Sequence, residues 1–386
     1  MRKRLLFVVN VGWFFVSHRL PIGIAAKKAG YDVHVFAALD PRLDKDTLKT
    51  LNAAGLSLHE APFSRSGYHP FELLRDLRAL WRLLRELKPE VVHLVTLKPV
   101  LLGGVVARLA GVRRVVIAIP GRGSVFSSKG LRAAARRGLG LLGYRIAYRR
   151  GVNKIIIQNA EDRDYFVSKG TFASEDTRLI RGSGVDVRAF HVADEPTSSP
   201  VVVVLASRML REKGIADFVD AANILRSRGV NARFRLVGEP DAGNPHSHTA
   251  EELRAWSRGG AVDWIGFKAD MAAVFAQSHI VCLPTYYGEG VPKVLIEASA
   301  SAKPIVTTDT PGCRDIVRHG YNGLLVAPRR PDLLANALTE LIDDKEKRLA
   351  MGRNGRALVE QEFRIEIVVQ QTLDVYEELL ASDESS

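Results

Sequence analysis

Cysteine is nearly absent: Cys282 and Cys313 are the only two in 386 residues. Two thiols are too few for a disulfide framework, and no CxxC pair or Cys/His cluster offers a structural zinc its four ligands. Such usage fits a reducing, cytoplasmic compartment. Long apolar runs are missing as well. No uncharged apolar stretch reaches about 18 residues, the length a membrane-crossing helix needs. The opening MRKRLLFVVNVGWFFV has the basic-then-apolar order of a signal peptide, but Asn10 and Gly12 interrupt it and no small-residue cleavage site follows. A first β-strand is the better reading, with SHRLP starting a helix. Low-complexity tracts are absent and 46% of the residues are apolar, which excludes a disordered chain. Aromatics make up only 7%, and no helix-turn-helix, zinc-finger or RNA-binding signature occurs, so no nucleic-acid partner is expected.

Acidic residues are missing from one long segment. Residues 101–150 hold eleven basic side chains and no acidic one. Residues 1–190 carry 33 Lys+Arg against 15 Asp+Glu, while the rest carry 22 against 28. A field of one sign over half a molecule favours an anionic partner: a membrane, a nucleic acid or a phosphorylated substrate. KGLRAAARRGLGLLGYRIAYRR (129–150) mixes cations with Leu, Ile and Tyr, as suits a helix lying on an anionic membrane surface.

Short β-branched runs alternate with helical stretches. The strand candidates RLLFVVN (4–10), DVHVFA (32–37), EVVHLV (90–95), RVVIAI (114–119) and KIIIQN (154–159) are nearly all apolar, as parallel strands buried on both faces must be. Amphipathic stretches such as FELLRDLRALWRLLRELK (71–88) separate them. The polar segment VADEPTSSP (192–200) follows, and the pattern restarts with VVVVLAS (201–207), RFRLVG (233–238), HIVCLP (279–284) and PIVTT (304–308). The fold class is α/β, with two Rossmann-like domains of parallel strands. The expected layout is 1–192, 193–362 and a final helix in 363–386 that packs back on the first domain. Ligands in such sheets lie beyond the carboxyl ends of the strands, which would face a central cleft.

The most informative stretch is PTYYGEGVPKVLIEASASAKPIVTTDTPGCRDIVRHGYNGLLV (284–326). Glu289 and Glu297 stand eight residues apart with Gly290 and Pro292 between. With a helix starting near Val291, Glu297 lies about two turns inside it and Glu289 just ahead of it. A helix start offers free N–H groups to a phosphate, and a carboxylate beside it can accept hydrogen bonds from sugar hydroxyls.

This stretch resembles the Glu-x7-Glu signature of the family-4 retaining glycosyltransferases, which have the GT-B fold. EG-x-P, KPIV, GC-x-DIV and G-x-NGLLV carry the resemblance, and ASRMLREKGIADFVDAA (206–222) and GVDVRAF (184–190) extend it. SHRLPIGIAAKKAGYDVHVF (17–36) and HLVTLKP (93–99) resemble a bacterial subgroup that extends undecaprenyl-diphosphate-linked saccharides, N-acetylgalactosaminyltransferases among them. The resemblance implies a UDP-sugar donor, a lipid-linked saccharide acceptor and no metal or other cofactor. It makes Arg208 and Lys213 the cations on the donor diphosphate, where two positive charges suit a diphosphate leaving group. Glu289 falls beside the donor sugar and Glu297 at the ribose. Gly290 and Val291 present backbone N–H groups, Gly12 allows close donor approach, and Phe267 in GFKAD lies beside the nucleobase. His18, His93 and Lys98 become candidates on the acceptor side. The family histidine expected after RVVIAI is replaced by PGRGSVF (120–126), whose Gly121 and Gly123 could present backbone N–H groups instead.

The remaining motifs are weaker. Asp44/Asp46 and Asp162/Asp164 have Asp-x-Asp spacing but read as solvated helix starts, and no metal site is expected. GRGSVF lacks the third glycine of a dinucleotide fingerprint. The expectation is a cytoplasmic, peripheral membrane enzyme of surface polysaccharide or lipopolysaccharide assembly. A GT-B-like epimerase or hydrolase, or a basic nucleic-acid-binding protein, are the alternatives. An epimerase or hydrolase would consume a sugar nucleotide with no acceptor present.

Overall fold

The structure, a computed structural model, describes residues 3–40, 44–62, 70–123, 130–197, 199–241, 243–286 and 288–381. Two compact units divide the chain: Met1–Ser183 with Glu366–Ser386, and Gly184–Ile365.

The first unit holds β1 (Arg4–Val11), β2 (Asp32–Ala38), β3 (Ser57–Glu60), β4 (Val91–Val95), β5 (Val115–Ile119), β6 (Asn153–Ile157) and β7 (Thr177–Leu179). They form one parallel sheet in the order β3-β2-β1-β4-β5-β6-β7. Because successive side chains point to opposite faces, Leu5, Phe7 and Val9 enter one core with Phe15, Ile22 and Tyr31. Leu6 and Val8 enter the other with Leu80, Val100, Tyr144 and Phe166. Each fully buried side chain of this kind contributes about 1.5–3 kcal/mol, so both faces stay covered by helices. The last helix, Ile365–Ala381, closes the first of these cores: Val368, Val375, Tyr376 and Leu379 are buried in it. Its Glu378 pairs with Arg178 and Lys154 of the same unit.

The second unit holds β8 (Val201–Ala206), β9 (Ala232–Val237), β10 (Asp263–Trp264), β11 (Ile280–Leu283), β12 (Ile305–Thr308) and β13 (Gly323–Val326). They too are parallel, in the order β10-β9-β8-β11-β12-β13. Val203 and Leu205 face the helices Ile215–Ser227 and Pro331–Asp343. Val204 faces the helices Lys293–Ala300 and Lys345–Glu362.

The second unit begins earlier than the linker composition suggests. Val185 N–H donates to the Phe363 carbonyl at 3.0 Å, and Ile365 N–H to the Val185 carbonyl at 2.9 Å. Arg356 Nη1 donates to the carbonyls of Val187 (3.2 Å) and Phe190 (2.7 Å). The segment 184–190 is bonded to the second unit, so the polar run that follows lies inside that unit.

In both sheets the strand order reverses beside the first strand of the unit, between β1 and β4 and between β8 and β11. Chains leaving such neighbours turn to opposite faces, and the crevice between them is where open α/β sheets take ligands.

Candidate active site

The second unit brings two loops together at its reversal point. The loop after β8 ends in the single turn Arg211–Lys213 and Gly214. Gly214 has φ +75, and a Cβ there would sit 2.1 Å from the Pro284 carbonyl oxygen. Only glycine lets the β8 loop press against the β11 loop this closely. Tyr286 N–H donates to the Glu212 carbonyl at 3.0 Å and fixes the contact.

That contact places Lys213 against Glu289. Lys213 Nζ lies 2.7 and 2.6 Å from the two carboxylate oxygens of Glu289. The lysine and glutamate side chains are 13% and 20% exposed, so water screens the pair weakly. The Thr285 hydroxyl also reaches Glu289 Oε1 at 3.2 Å, and it lies 3.1 Å from the Glu212 carbonyl. Thr308 Oγ1 donates to the Thr285 carbonyl, which ties the β11 loop to the end of β12.

The floor beneath Glu289 is close-packed. A Cβ on Gly312 would sit 1.8 Å from the Gly290 carbonyl oxygen, so the start of the helix Pro311–Ile316 lies directly under Gly290. The Cys313 thiol is buried there and accepts from Thr307 Oγ1 at 3.2 Å. Burial pushes its pKa up to about 11, against the lowering effect of Thr307 and Thr310; the Glu289 charge raises it further. Cys313 is a neutral thiol at physiological pH, not a nucleophile.

Arg208, further back in the β8 loop, is half-exposed. Its Nη1 lies 2.8 Å from Oδ2 of the buried Asp241, which comes from the loop after β9. That loop is stitched to the β8 loop by backbone bonds, Arg211 N–H to His246 O (2.9 Å) and His248 N–H to Met209 O (2.8 Å).

Glu297 differs from expectation. The helix starts at Lys293, with Pro292 as its cap, so Glu297 is its fifth residue and stands little more than one turn inside. It is buried and salt-bridged to Lys293 on the preceding turn. Burial raises its pKa, and the Lys293 ammonium opposes that shift. Val291 is buried, and Phe267 is exposed after Gly266 at φ +70.

In the first unit, Gly12 opens the helix Gly12–His18, and a Cβ there would meet Asp44 Oδ1 at 2.7 Å. Packing against Asp44 and Thr47 is therefore itself a reason for glycine at this position. His18 stacks on Phe14 at 4.3 Å, with Nδ1 2.5 Å from Ser17 Oγ. His93 is enclosed in β4, stacked on Phe7, with Nδ1 2.6 Å from Tyr376 OH. Burial, then the Arg19 charge, holds its pKa well below 6.5. Lys98 Nζ lies 3.3 Å from the buried Asp76. Gly121 and Gly123 flank Arg122, which pairs with Glu161 and Asp162. Residues 124–129, which include the last three of PGRGSVF, lie outside the described residues.

The Asp-x-Asp pairs are only half solvated: Asp46 and Asp164 are exposed as expected, but the first aspartate of each pair is buried. Asp44 is buried and accepts from Asp40 N–H (2.7 Å) and the Thr47 hydroxyl (2.6 Å). Asp162 is buried between Asn159 and Arg122. Among the described residues no group of three or more His, Cys, Asp or Glu could hold a metal. Thr285, Asp241 and Asp76 had no signal in the sequence; each is an ordinary polar residue until the loops are placed.

Comparison with known proteins agrees with this architecture. Residues 4–159 match the family described as glycosyl transferase 4-like, and residues 188–358 match glycosyl transferases group 1. N,N'-diacetylbacillosaminyl-diphospho-undecaprenol alpha-1,3-N-acetylgalactosaminyltransferase of Campylobacter jejuni is 25% identical over 98% of this chain and 99% of its own length. UDP-Gal:alpha-D-GlcNAc-diphosphoundecaprenol alpha-1,3-galactosyltransferase of Escherichia coli is 23% identical over 80% of each chain. Among solved structures, Anabaena HepE in complex with UDP and glucose superposes with a TM-score of 0.76, at 19% identity over 98% of this chain and 100% of that one. Sucrose-phosphate synthase of Thermosynechococcus elongatus gives 0.78, also at 19% identity, over 99% and 100%. At that identity the structures speak for the GT-B fold alone.

Proposed function

The chain belongs to the glycosyltransferases, 4-like in its first half and group 1 in its second, and from that premise we propose that it moves a hexosyl or N-acetylhexosaminyl group from a UDP-sugar to a lipid-linked saccharide, with retention at the anomeric carbon. The observation that carries the donor half of this reading is the Lys213–Glu289 pair at the reversal point of the second sheet. The acceptor half is supported by the two relatives named for undecaprenol-linked substrates.

In this reading the donor diphosphate takes Lys213 and Arg208 from their carboxylate partners. Two cations then neutralise the charge that grows on the leaving diphosphate, without a metal. Glu289, released from Lys213, accepts hydrogen bonds from the donor sugar hydroxyls. Gly290 and Val291 offer backbone N–H groups beside it, and Glu297 takes the ribose. The bond between the anomeric carbon and the phosphate oxygen breaks, and the acceptor oxygen bonds on the same face. Its proton passes to the leaving diphosphate. Cys313 is a neutral thiol and Glu297 is bound to Lys293, so neither is poised to attack the anomeric carbon, and front-face transfer is the reading we favour.

The membrane partner belongs to the same reading. In the helix Leu131–Ala147, Leu139, Leu142 and Ile146 are solvent-exposed in a row, with Arg136 and Arg145 exposed beside them. An apolar stripe flanked by cations suits an anionic leaflet. No helix among the described residues is long and apolar enough to cross a membrane. The reading puts the protein on the cytoplasmic face, where nucleotide sugars and lipid-linked acceptors meet.

The test is a transfer reaction with a panel of UDP-sugars and an N-acetylhexosamine-diphospholipid acceptor, with the product linkage read by NMR. An α-linked product from an α-linked donor supports retention, and a β-linked product overturns it.

A further inference from the structure

The loop after β13 carries a side chain that the transfer scheme above leaves unused. Arg329 stands between β13 and the helix Pro331–Asp343, exposed, with φ +59. That is the left-handed region, which glycine enters freely and an L side chain only at a cost. Strain of this kind persists where the surrounding contacts hold it in place.

The Arg329 side chain makes such a contact. Its guanidinium carbon lies 4.3 Å from the centre of the Tyr286 ring, and a cation over a tyrosine face is attracted by the ring quadrupole. Tyr286 follows β11, and its N–H donates to the Glu212 carbonyl at 3.0 Å. The same carbonyl takes the Thr285 hydroxyl at 3.1 Å, and that hydroxyl also reaches Glu289 Oε1 at 3.2 Å. Thr285 and Tyr286 therefore join the turn that bears Lys213 to the carboxylate that faces it. Arg329 closes over that junction from the β13 side.

The surrounding charges show why a cation belongs there. Glu212 Oε2 and Asp217 Oδ2 are enclosed and have no hydrogen-bond partner among the described residues. Glu212 Oε2 has His246 Nδ1 at 3.6 Å, too far to bond. Asp217 stands in the first turn of the helix Ile215–Ser227, which follows Gly214. Burial and then the neighbouring Asp220 raise the Asp217 pKa, and the Arg329 charge opposes them. Burial raises the Tyr286 pKa too; Arg329 opposes that shift, and the charges of Glu212 and Asp217 add to it. One guanidinium thus acts on both Tyr286 and Asp217, beside Glu212, at the carboxyl ends of β8, β11 and β13.

We propose that Arg329 is a positioning residue for the donor site: stacked on Tyr286, it holds the β11 loop against the Lys213 turn, so that Lys213 and Glu289 reach the diphosphate and the sugar of one donor. The assignment rests on the donor reading above. Arg329 does not touch the donor in this account; it acts through Tyr286.

The test is calorimetric titration with UDP, together with urea unfolding, on the full chain as wild type, Arg329→Gly, Arg329→Lys, Tyr286→Leu and the double variant of Tyr286→Leu with Arg329→Gly. Glycine removes the stack and at the same time relieves the backbone at φ +59. The expected result is UDP binding about fivefold weaker in Arg329→Gly, the factor that an exposed cation–π contact is worth, with an unfolding midpoint no lower than that of wild type. Arg329→Lys keeps a cation over the ring and recovers most of the loss. Tyr286→Leu weakens UDP to a similar extent, and adding Arg329→Gly to it changes nothing further. Unchanged UDP affinity in Arg329→Gly overturns the assignment. So does a loss matched by an equal loss of stability, which would mean that the stack serves only the fold. So does an additive double variant, which would mean that the charge acts on the diphosphate directly. A wild type that binds no UDP refutes the donor reading and this assignment with it.

Discussion

Glu289→Gln is expected to bind UDP more tightly than wild type while transferring sugar more slowly. Lys213 is committed to Glu289 through two contacts of 2.6 and 2.7 Å. A hydrogen bond between charged groups is worth about 1.5–3 kcal/mol net, and a diphosphate has to compete with it for the same ammonium. The carboxylate also repels the diphosphate directly. Glutamine keeps the shape and removes both effects. Taking only the lower figure of about 1.5 kcal/mol, the dissociation constant of UDP falls about tenfold. Isothermal titration at low and high salt reads this. The gain should shrink as salt screens the charges, though less than for an exposed pair. UDP affinity that is unchanged or weaker in Glu289→Gln would show that Lys213 and Glu289 do not exchange partners on donor binding, and the reasoning would fail.

Other outcomes follow from the same geometry. Gly214→Ala places a methyl 2.1 Å from the Pro284 oxygen at φ +75; we expect a loss of about 2 kcal/mol or more in urea unfolding, together with weaker UDP binding as Lys213 shifts. His93 has its folded pKa depressed well below 6.5, so the unfolded chain binds a proton that the folded chain refuses. Its contribution to stability is complete above about pH 6.5 and is lost as pH falls below that value. His93→Gln should flatten the fall in unfolding free energy between pH 6.5 and 5 by up to about 1.4 kcal/mol per pH unit; parallel slopes would show that His93 carries no such linkage. Replacing Leu139, Leu142 and Ile146 together by Glu should abolish flotation with anionic vesicles and leave the melting temperature within about two degrees, since all three are exposed.

The long central strands were legible because burial on both faces forces near-continuous apolar runs, as in RLLFVVN and VVVVLAS. The edge strands Ser57–Glu60, Thr177–Leu179 and Asp263–Trp264 were not, since they are short and largely polar and are defined by their single neighbours. Lys213 and Glu289 could be paired in advance only through a family resemblance: they stand 76 residues apart, and what joins them is a glycine pressed on the Pro284 carbonyl. Residues 184–190 looked like the end of the first half, but their bonds run to Phe363, Ile365 and Arg356, contacts that no local pattern encodes. Asp44 and Asp162 looked like solvated helix starts for the same reason. Their burial comes from partners such as Thr47 and Arg122, whose placement depends on the whole unit.

The account stands on sugar transfer at the Lys213–Glu289 site, and UDP release measures that directly. Wild type and Lys213→Met would be given each UDP-sugar with and without an N-acetylhexosamine-diphospholipid acceptor. The account predicts UDP release from one donor, dependent on the acceptor and reduced at least a hundredfold in Lys213→Met. Release that ignores the acceptor, or that survives the loss of Lys213, would contradict it.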